Sequence, residues 1–288
     1  MVIDKYIEKA EVLIEALPYI KKFYNKIVVI KYGGSALINP EIKDTIIKDI
    51  ALMKLVGMKP VIVHGGGPDI NSFLNRLDIK PNFVNGLRVT DNDTMEVVEM
   101  VLCGKLNKSI VTDIELQGVK AVGISGKDGG ILKASKINNN DFDYGCVGEV
   151  KSVDISLIKS LIDNDFIPVI APIGKDDYGN TYNINADYVA VAVAGALKSE
   201  KLVFLTDVKG VMKDVNDDDS IISFIKSCDI QKLIDDNTIS GGMIPKVQCC
   251  IAGVDAGVGN VHILDGRVEH SLLLEIFTQK GIGTMISK

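Results

Sequence analysis

The chain has 288 residues, of which 47% are hydrophobic, so it can bury a sizeable core as one large domain or two packed lobes. Its net charge is −6 and no lysines and arginines form a polybasic tract, which argues against a nucleic-acid or membrane-surface partner. The longest apolar run, residues 188–197, is too short to span a bilayer. The N-terminus has no apolar signal core, so we expect a cytoplasmic protein.

Five cysteines and three histidines are scattered along the chain. An odd number of cysteines without a C-x-x-C pair argues against a disulfide framework or a zinc site. We therefore expect reduced, partly buried thiols and no histidine-based metal site.

Residues 4–25 carry apolar side chains at steps of three and four, the spacing of an amphipathic helix. Pro18 lies inside this stretch and is expected to break or kink the helix. The segment precedes the first buried strand, so its apolar face needs a partner. That partner is either the protein's own sheet or another subunit.

Short β-branched runs then alternate with helical patterns. The predicted strands are 27–31, 60–64, 119–124, 167–171, 201–206 and 261–264. The predicted helices are 41–56, 68–76, 93–117, 153–163, 186–197 and 245–257. This alternation favours an α/β fold with an open, mainly parallel central sheet and helices on both faces.

Two irregular segments and one turn-rich segment interrupt the alternation. We interpret 126–150 as a pair of short antiparallel strands over a sheet edge, and 214–220 as an acidic, solvated loop. The stretch 172–183 is rich in turn residues and is the best candidate for a boundary between lobes. The predicted organisation is an N-terminal helix in 1–26, a first lobe in 27–174 and a second lobe in 175–288.

Glycine turns close two of the predicted strands, one at Gly33 and Gly34 and one at 65–67. Ligands of open α/β sheets bind outside the carboxyl ends of the strands, and glycine lets backbone N–H groups approach an anion closely. Lys31, at the end of the first strand, either adds a point charge to a phosphate or simply extends to solvent. The second turn leads into a helix that begins near Pro68, and the anion it would bind is either a carboxylate or a phosphate.

Polar side chains also lie before two predicted helices. Arg88 precedes a helix, where its planar guanidinium can clamp a carboxylate or pair with Asp91 or Asp93. Asp187 opens a helix of small residues, where it either caps the helix or orients two lysines.

The second half of the chain repeats the arrangement of strand, polar turn and helix. The run 202–211 ends in Thr206-Asp207, which is either a simple turn or part of a slot for an adenine nucleotide. Lys246 follows another glycine turn, Gly241-Gly242. Lysines on two separate glycine turns suit phosphoryl transfer from ATP, because negative charge spreads over the equatorial oxygens of the moving group.

Six motifs together resemble the acetylglutamate kinases of the amino-acid kinase family. In chain order they are IKYGGSAL, VIVHGGGPDIN, NGLRVTD, YNINADYVA, FLTDVKGV and GGMIPKV. The resemblance extends from about residue 26 to the C-terminus. It implies an enzyme of arginine biosynthesis that phosphorylates the side-chain carboxylate of N-acetyl-L-glutamate with MgATP. It also implies an N-terminal acetylglutamate lobe and a C-terminal ATP lobe.

The resemblance assigns roles to individual residues. Lys31 and Lys246 would stabilise the transferring phosphoryl group, and Asp187 would hold both lysines in place. The acceptor would be bound by Gly66, Gly67, Arg88 and Asn183. ATP would be bound by Gly33, Gly34, Asp207, Val208 and Gly210. Magnesium would be carried by the ATP phosphates without a protein ligand.

The N-terminal helix resembles that of the arginine-inhibited hexameric members, where it interlaces dimers into a homohexamer. The effector L-arginine would be surrounded by Tyr19, Lys201, His270, Glu275, Gly281 and Gly283. Glu275 suits the guanidinium of arginine and Lys201 suits its carboxylate. The alternative for residues 270–284 is a surface helix that ends at a glycine. The sequence leaves open whether a PII-type signalling protein also binds.

Two rival functions remain on the same fold. One is another amino-acid kinase that acts on a related carboxylate, with the kinases of the aminoadipate pathway as the closest. The other is a non-catalytic arginine-sensing protein, against which the presence of Lys31, Asp187 and Lys246 argues.

Overall fold

The computed structural model describes residues 2–34, 39–138, 142–214, 217–278 and 281–288. Parts of four predicted features lie outside the described residues. They are residues 35–37 of the first glycine-turn motif, 139–141 of the segment with antiparallel strands, 215–216 of the acidic loop and 279–280 of the effector segment.

Helices and strands alternate along the described chain. The α-helices are α1 (Val2–Phe23), α2 (Pro40–Leu55), α3 (Gly67–Arg76), α4 (Asn92–Glu99), α5 (Asn107–Glu115), α6 (Ser156–Asp163), α7 (Ala186–Leu197), α8 (Ile230–Asp235), α9 (Met243–Asp255) and α10 (Ser271–Phe277). The strands are β1 (Ile27–Tyr32), β2 (Lys59–His64), β3 (Phe83–Val84), β4 (Leu87–Arg88), β5 (Ala121–Ser125), β6 (Leu132–Lys136), β7 (Val147–Val153), β8 (Ile167–Ala171), β9 (Ile173–Lys175), β10 (Thr181–Ile184), β11 (Lys201–Thr206), β12 (Phe224–Lys226), β13 (Asn260–Asp265) and β14 (Thr284–Ser287).

Eight strands form the central sheet in the order β12-β14-β13-β11-β1-β2-β8-β5. The six strands predicted from the sequence form one contiguous parallel run from β13 to β5, so the predicted α/β fold is confirmed. Strands β14 and β12, which were not predicted, extend one edge of the sheet, with β14 antiparallel to β13. Both are four residues or shorter, too short for their pattern to stand out.

Helices cover both faces of the sheet because the side chains of its strands are apolar on both sides. On β1, Val28 and Ile30 are buried in one cluster with α2, α4, α5 and α10. Val29, between them, is buried in a second cluster with α6, α7 and α9. Because these strands are parallel, their carboxyl ends lie at one edge of the sheet, where loops from several elements converge.

The segment 126–150 contains the predicted antiparallel pair, β6 and β7. The turn-rich stretch that follows forms a hairpin of β9 and β10, and the four strands close into a small barrel. The predicted lobe boundary at residue 174 therefore falls inside β9, and the division into lobes stays a prediction.

The predicted helix 93–117 contains a π-helical turn, Met100–Leu106, between α4 and α5. The extra residue per turn rotates the side chains that follow it relative to a regular α-helix. As a result Leu102, Leu106 and Asn107 all face the protein interior, toward the second glycine turn.

Helix α1 continues without a break through Pro18, although a break or a kink was expected there. Proline removes a single backbone hydrogen bond, and the helix continues to Phe23 on the strength of its tertiary contacts. Phe23 is buried and Tyr19 packs edge-on against Phe277, while Leu13 is 72% exposed. Among the described residues no helix is long and apolar enough to cross a membrane.

Candidate active site

The two glycine turns lie side by side at the carboxyl end of the parallel sheet. β1 and β2 are neighbours with Tyr32 opposite His64, and the Gly65 N–H donates to Tyr32 O over 2.8 Å. A Cβ atom on Gly33 would lie 3.1 Å from Lys31 Nζ and 3.5 Å from Gly65 N. The missing side chain at Gly33 therefore gives the Lys31 ammonium room between the turns.

Lys31 forms an ion pair with Asp187, with Nζ 3.0 Å from Oδ1. Capping of helix α7 is done by Asn185, whose side chain accepts a hydrogen bond from the Asp187 N–H over 2.8 Å. This leaves the Asp187 carboxylate free to bind cations. Among the described residues no donor is aligned with its buried Oδ1 atom, despite the nearby ammonium, so this oxygen can accept a further hydrogen bond.

Lys246 lies in the first turn of α9, which packs against α7. The buried Cys249 lies one turn later and interacts electrostatically with Lys246, Asp187 and Lys31. Burial raises the pKa of this thiol to about 12, with a further rise from Asp187 and an opposing effect of the lysines. The two lysines and the carboxylate thus share one neighbourhood, although Lys246 forms no ion pair within the described chain.

The second glycine turn is shaped by the π-helical turn packed behind it. A Cβ atom on Gly66 would lie 2.5 Å from Leu102 Cδ2 and 2.8 Å from Leu106 Cδ2, so a side chain there would displace both leucines. A Cβ atom on Gly67 would meet nothing within 4 Å. The turn is therefore tightly packed on one side and open on the other, with Gly67 at the N-terminus of α3, where an anion is favoured.

Arg88 lies beside this open space with its side chain mostly buried. Its Nη2 donates to Gly67 O over 3.3 Å, and the guanidinium stacks on the Phe83 ring at 4.6 Å. Nη1 is buried and has no hydrogen-bond partner among the described residues, and burial lowers the pKa of the group. Asp91, one of the two predicted pairing partners, instead caps α4 through the Thr94 N–H.

Thr90 is a residue of this site that the sequence analysis missed. Its hydroxyl donates to Arg88 O over 2.8 Å and accepts from Asn183 Nδ2 over 3.2 Å. Thr90 therefore connects Arg88 to Asn183, two predicted acceptor-binding residues that are far apart in sequence. The signal was present in the run NGLRVTD, in which Thr90 stands two residues after Arg88.

Three of the five predicted nucleotide residues, Asp207, Val208 and Gly210, follow β11, the neighbour of β1 in the sheet. The Thr206 hydroxyl accepts from the Val208 N–H over 3.2 Å, while Asp207 is exposed. Gly210 has φ 145°, and a Cβ atom there would lie 2.7 Å from Thr284 Oγ1. Contact with Thr284 of β14 thus holds the loop in place, and the loop lies at the same sheet edge as Lys31.

A second site lies at the opposite end of β11. A cavity of about 860 Å³ is lined by Tyr19, Lys201, Glu275, Gly281 and Gly283, five of the six residues predicted for the effector. His262, which was not among the predicted residues, contacts two of them. Lys201 Nζ lies 2.8 Å from His262 Nε2, and His262 Nδ1 lies 2.7 Å from Glu275 Oε1.

His270, the sixth predicted residue, does not line this cavity. It lies at the start of α10, where its Nδ1 is 2.6 Å from Oδ1 of the fully buried Asp49 on α2. Its neighbourhood is therefore the interface of α2 and α10. The family resemblance assigned His270 to the effector site, but it is His262, on strand β13, that contacts Glu275.

Comparison with known proteins agrees with this geometry. Residues 26–265 match the amino acid kinase family. The chain is 55% identical over 293 residues to the acetylglutamate kinase of Heliobacterium modesticaldum, covering 99% of each chain. It is 58% identical to that of Caldanaerobacter subterraneus, covering 97% of this chain and 93% of the relative.

The chain belongs to the acetylglutamate kinases of the amino acid kinase family. It is accordingly an enzyme. Among solved structures, the N-acetylglutamate synthase of Neisseria gonorrhoeae in complex with coenzyme A and N-acetyl-glutamate superposes with a TM-score of 0.84 at 25% identity. The match covers 97% of this chain, which spans 63% of the synthase chain. Carbamate kinase from Giardia lamblia shares the fold, with a TM-score of 0.65 at 19% identity and coverage of 92% and 99%.

Proposed function

We propose that this acetylglutamate kinase relative transfers the γ-phosphoryl group of ATP to the side-chain carboxylate of N-acetyl-L-glutamate. The observation that carries the proposal is the buried Arg88 guanidinium beside the open turn at Gly67, whose Nη1 has no hydrogen-bond partner in the part of the chain that the structure describes. A buried cation without an anion is costly, and a substrate carboxylate would remove that cost.

The Lys31–Asp187 pair supports the catalytic half of the proposal. In-line attack by an ionised carboxylate needs no general base, so positioning and electrostatic stabilisation would supply the rate enhancement. We propose that Lys31 and Lys246 stabilise the negative charge of the moving phosphoryl group. Asp187, with its Oδ1 lacking an aligned donor, would hold them there.

For the nucleotide, we propose that Gly33 and Gly34 contact the ATP phosphates and that the loop after β11 contacts the rest of ATP. Its members are Asp207, Val208 and Gly210. Magnesium carried on the phosphates would supply further positive charge. The described residues contain no group of three histidine, cysteine or acidic side chains that could hold a metal ion.

We further propose that L-arginine inhibits the enzyme by binding in the 860 Å³ cavity. Glu275 offers a carboxylate to a guanidinium and Lys201 offers an ammonium to a carboxylate. The effector must favour a less active conformation for inhibition to follow. The exposed apolar side chains of α1, which contributes Tyr19 to the cavity wall, support assembly into a homohexamer through this helix.

An ADP-release assay tests the proposed activity. The purified protein with MgATP is offered acetylglutamate, glutamate, aspartate or UMP in parallel, with a reaction lacking acceptor as the blank. We expect turnover with acetylglutamate well above that with the other three. Preference for another carboxylate would indicate a different amino-acid kinase, and arginine binding without turnover of any acceptor would indicate a sensing protein.

A further inference from the structure

A buried polar chain lies directly behind the second glycine turn. His64 is fully buried and Asn107 is 1% exposed. His64 Nδ1 lies 2.9 Å from Gly65 O, and His64 Nε2 lies 3.2 Å from Asn107 Nδ2. Asn107 Nδ2 also donates to Val169 O over 2.9 Å, which anchors the chain to β8.

These contacts define which ring nitrogen of His64 carries the proton. A carbonyl oxygen can only accept, so Nδ1 must donate to Gly65 O. Nε2 then has a lone pair, which accepts from the Asn107 amide. Burial lowers the pKa of His64 to about 4, and Lys108 adds to this effect, so the ring is neutral at physiological pH.

The direction of the Gly65 carbonyl controls the direction of the Gly66 N–H. Both belong to one planar trans peptide group, in which the carbonyl and the N–H point in opposite directions. Because His64 holds the carbonyl toward the interior, the N–H points away from the buried His64 ring. Within the described chain, no acceptor occupies the N–H of Gly66 or of Gly67.

We propose that His64 and Asn107 are positioning residues, which orient the Gly66 N–H toward the bound acceptor. This inference rests on the proposed function, because it assigns acceptor binding to this turn. Neither side chain touches the acceptor, and both act through the Gly65–Gly66 peptide group.

The residues around Asn107 stabilise the hydrogen-bond chain that His64 and Asn107 form. Asn107 follows the π-helical turn, which turns it inward beside Leu106. On β5, a Cβ atom at Gly123 would overlap Asn107 Oδ1, so the glycine leaves room for the amide. Lys108 Nζ donates to Oδ1 over 3.1 Å and to Gly123 O over 2.7 Å, which fixes the amide orientation.

Asn107→Asp tests the inference through its pH dependence. A carboxylate beside Nε2 attracts the single ring proton of His64 away from Nδ1, which leaves Gly65 O without a donor. The same carboxylate raises the pKa of His64, and at lower pH the charged ring again donates from both nitrogens. Lys108, whose Nζ donates to Asn107 Oδ1 over 3.1 Å, is the charged group beside this position. We expect the acetylglutamate KM, relative to wild type, to rise about tenfold at pH 8.5 and to recover toward pH 6.

Two controls separate positioning from loss of stability. Ile110→Ala removes a fully buried side chain one turn further along α5, and we expect a lower melting temperature but an unchanged KM ratio at every pH. The ATP KM of Asn107→Asp should stay within about twofold of wild type, since the Gly33 turn is not part of the hydrogen-bond chain formed by His64 and Asn107.

A second pair of variants covers the case in which Asn107→Asp does not fold. His64→Asn retains an N–H donor near the Nδ1 position, whereas His64→Leu does not. We expect His64→Asn to keep the acetylglutamate KM within about threefold and His64→Leu to raise it about tenfold. A KM ratio for Asn107→Asp that is constant with pH, or equal KM values for the two His64 variants, would overturn the inference. Failure of the wild-type protein to use acetylglutamate would instead overturn the proposed function.

Discussion

The ammonium of Lys31 lies 3.0 Å from Oδ1 of Asp187, which joins the end of β1 to the start of α7. Because the Asn185 side chain caps that helix, the Asp187 carboxylate does not serve as the cap. The pair lies beside the gap between the two glycine turns, where the transferred group would pass. Its location makes electrostatic catalysis the simplest account of both residues.

Replacing either predicted catalytic lysine should lower kcat. For Lys31→Ala and Lys246→Ala we expect a loss of about 10²- to 10³-fold with a smaller change in the acetylglutamate KM, because their charge acts mainly on the transition state. Lys26→Ala, which breaks an exposed pair with Glu200 at the other end of β1, serves as the control. A raised KM with normal kcat would assign the lysine to ground-state binding.

Replacing Arg88 should instead weaken acceptor binding. Arg88→Ala removes the buried, partly unpaired guanidinium, so we expect the acetylglutamate KM to rise at least about tenfold. Arg76 is the matched control, since it also stacks on a phenylalanine, Phe73, at 4.7 Å but lies on the exposed end of α3. The acetylglutamate KM is measured by steady-state kinetics for Arg88→Ala and Arg76→Ala, and equal KM values would refute the role of Arg88.

Two histidine variants should show whether arginine binds in the cavity beside His262 or near His270. His262 contacts both Lys201 and Glu275 inside the cavity, whereas His270 pairs with Asp49 outside it. If arginine binds in the cavity, we expect His262→Asn to raise the arginine concentration for half-inhibition about tenfold. His270→Asn should change it little. The reverse result would restore the original prediction for His270.

Lys201 should make the stability of the protein vary with pH in the alkaline range. Burial lowers its pKa to about 8, below that of an exposed lysine. Between this pKa and about 10.4 the folded state has released the proton and the unfolded state still holds it, so the contribution of Lys201 to stability rises with pH. We expect the melting temperature of wild type minus that of Lys201→Met to increase from pH 7.5 to pH 10. A constant difference would show that Lys201 titrates normally.

Removal of α1 should affect both assembly and inhibition. We expect deletion of residues 1–25 to convert hexamers into dimers in sedimentation analysis and to weaken arginine inhibition, because it also removes Tyr19 from the cavity wall. Leu13→Glu separates the two effects, since Leu13 is exposed and lies away from the cavity. Full arginine sensitivity in a dimeric deletion variant would exclude a role for α1 in inhibition.

Much of the fold was predictable because its signals are local. The buried parallel strands carry β-branched runs, and their glycine turns stand beside them in the sequence. The predicted pairing of Lys31 with Asp187 came from the family motifs and agrees with the 3.0 Å contact. By contrast, β12 and β14 were missed because strands of three and four residues have almost no periodicity.

The sequence by itself determined the order of strands and helices, the glycine turns and the set of charged residues at the strand ends. Only the tertiary structure decided which polar side chains meet. It paired Thr90 with Asn183, His64 with Asn107 and His262 with Glu275. Such contacts depend on which strands are neighbours in the sheet and on how the π-helical turn rotates the residues after it. Hydrophobic periodicity records which side of an element is buried, but not which residue of another element it will contact.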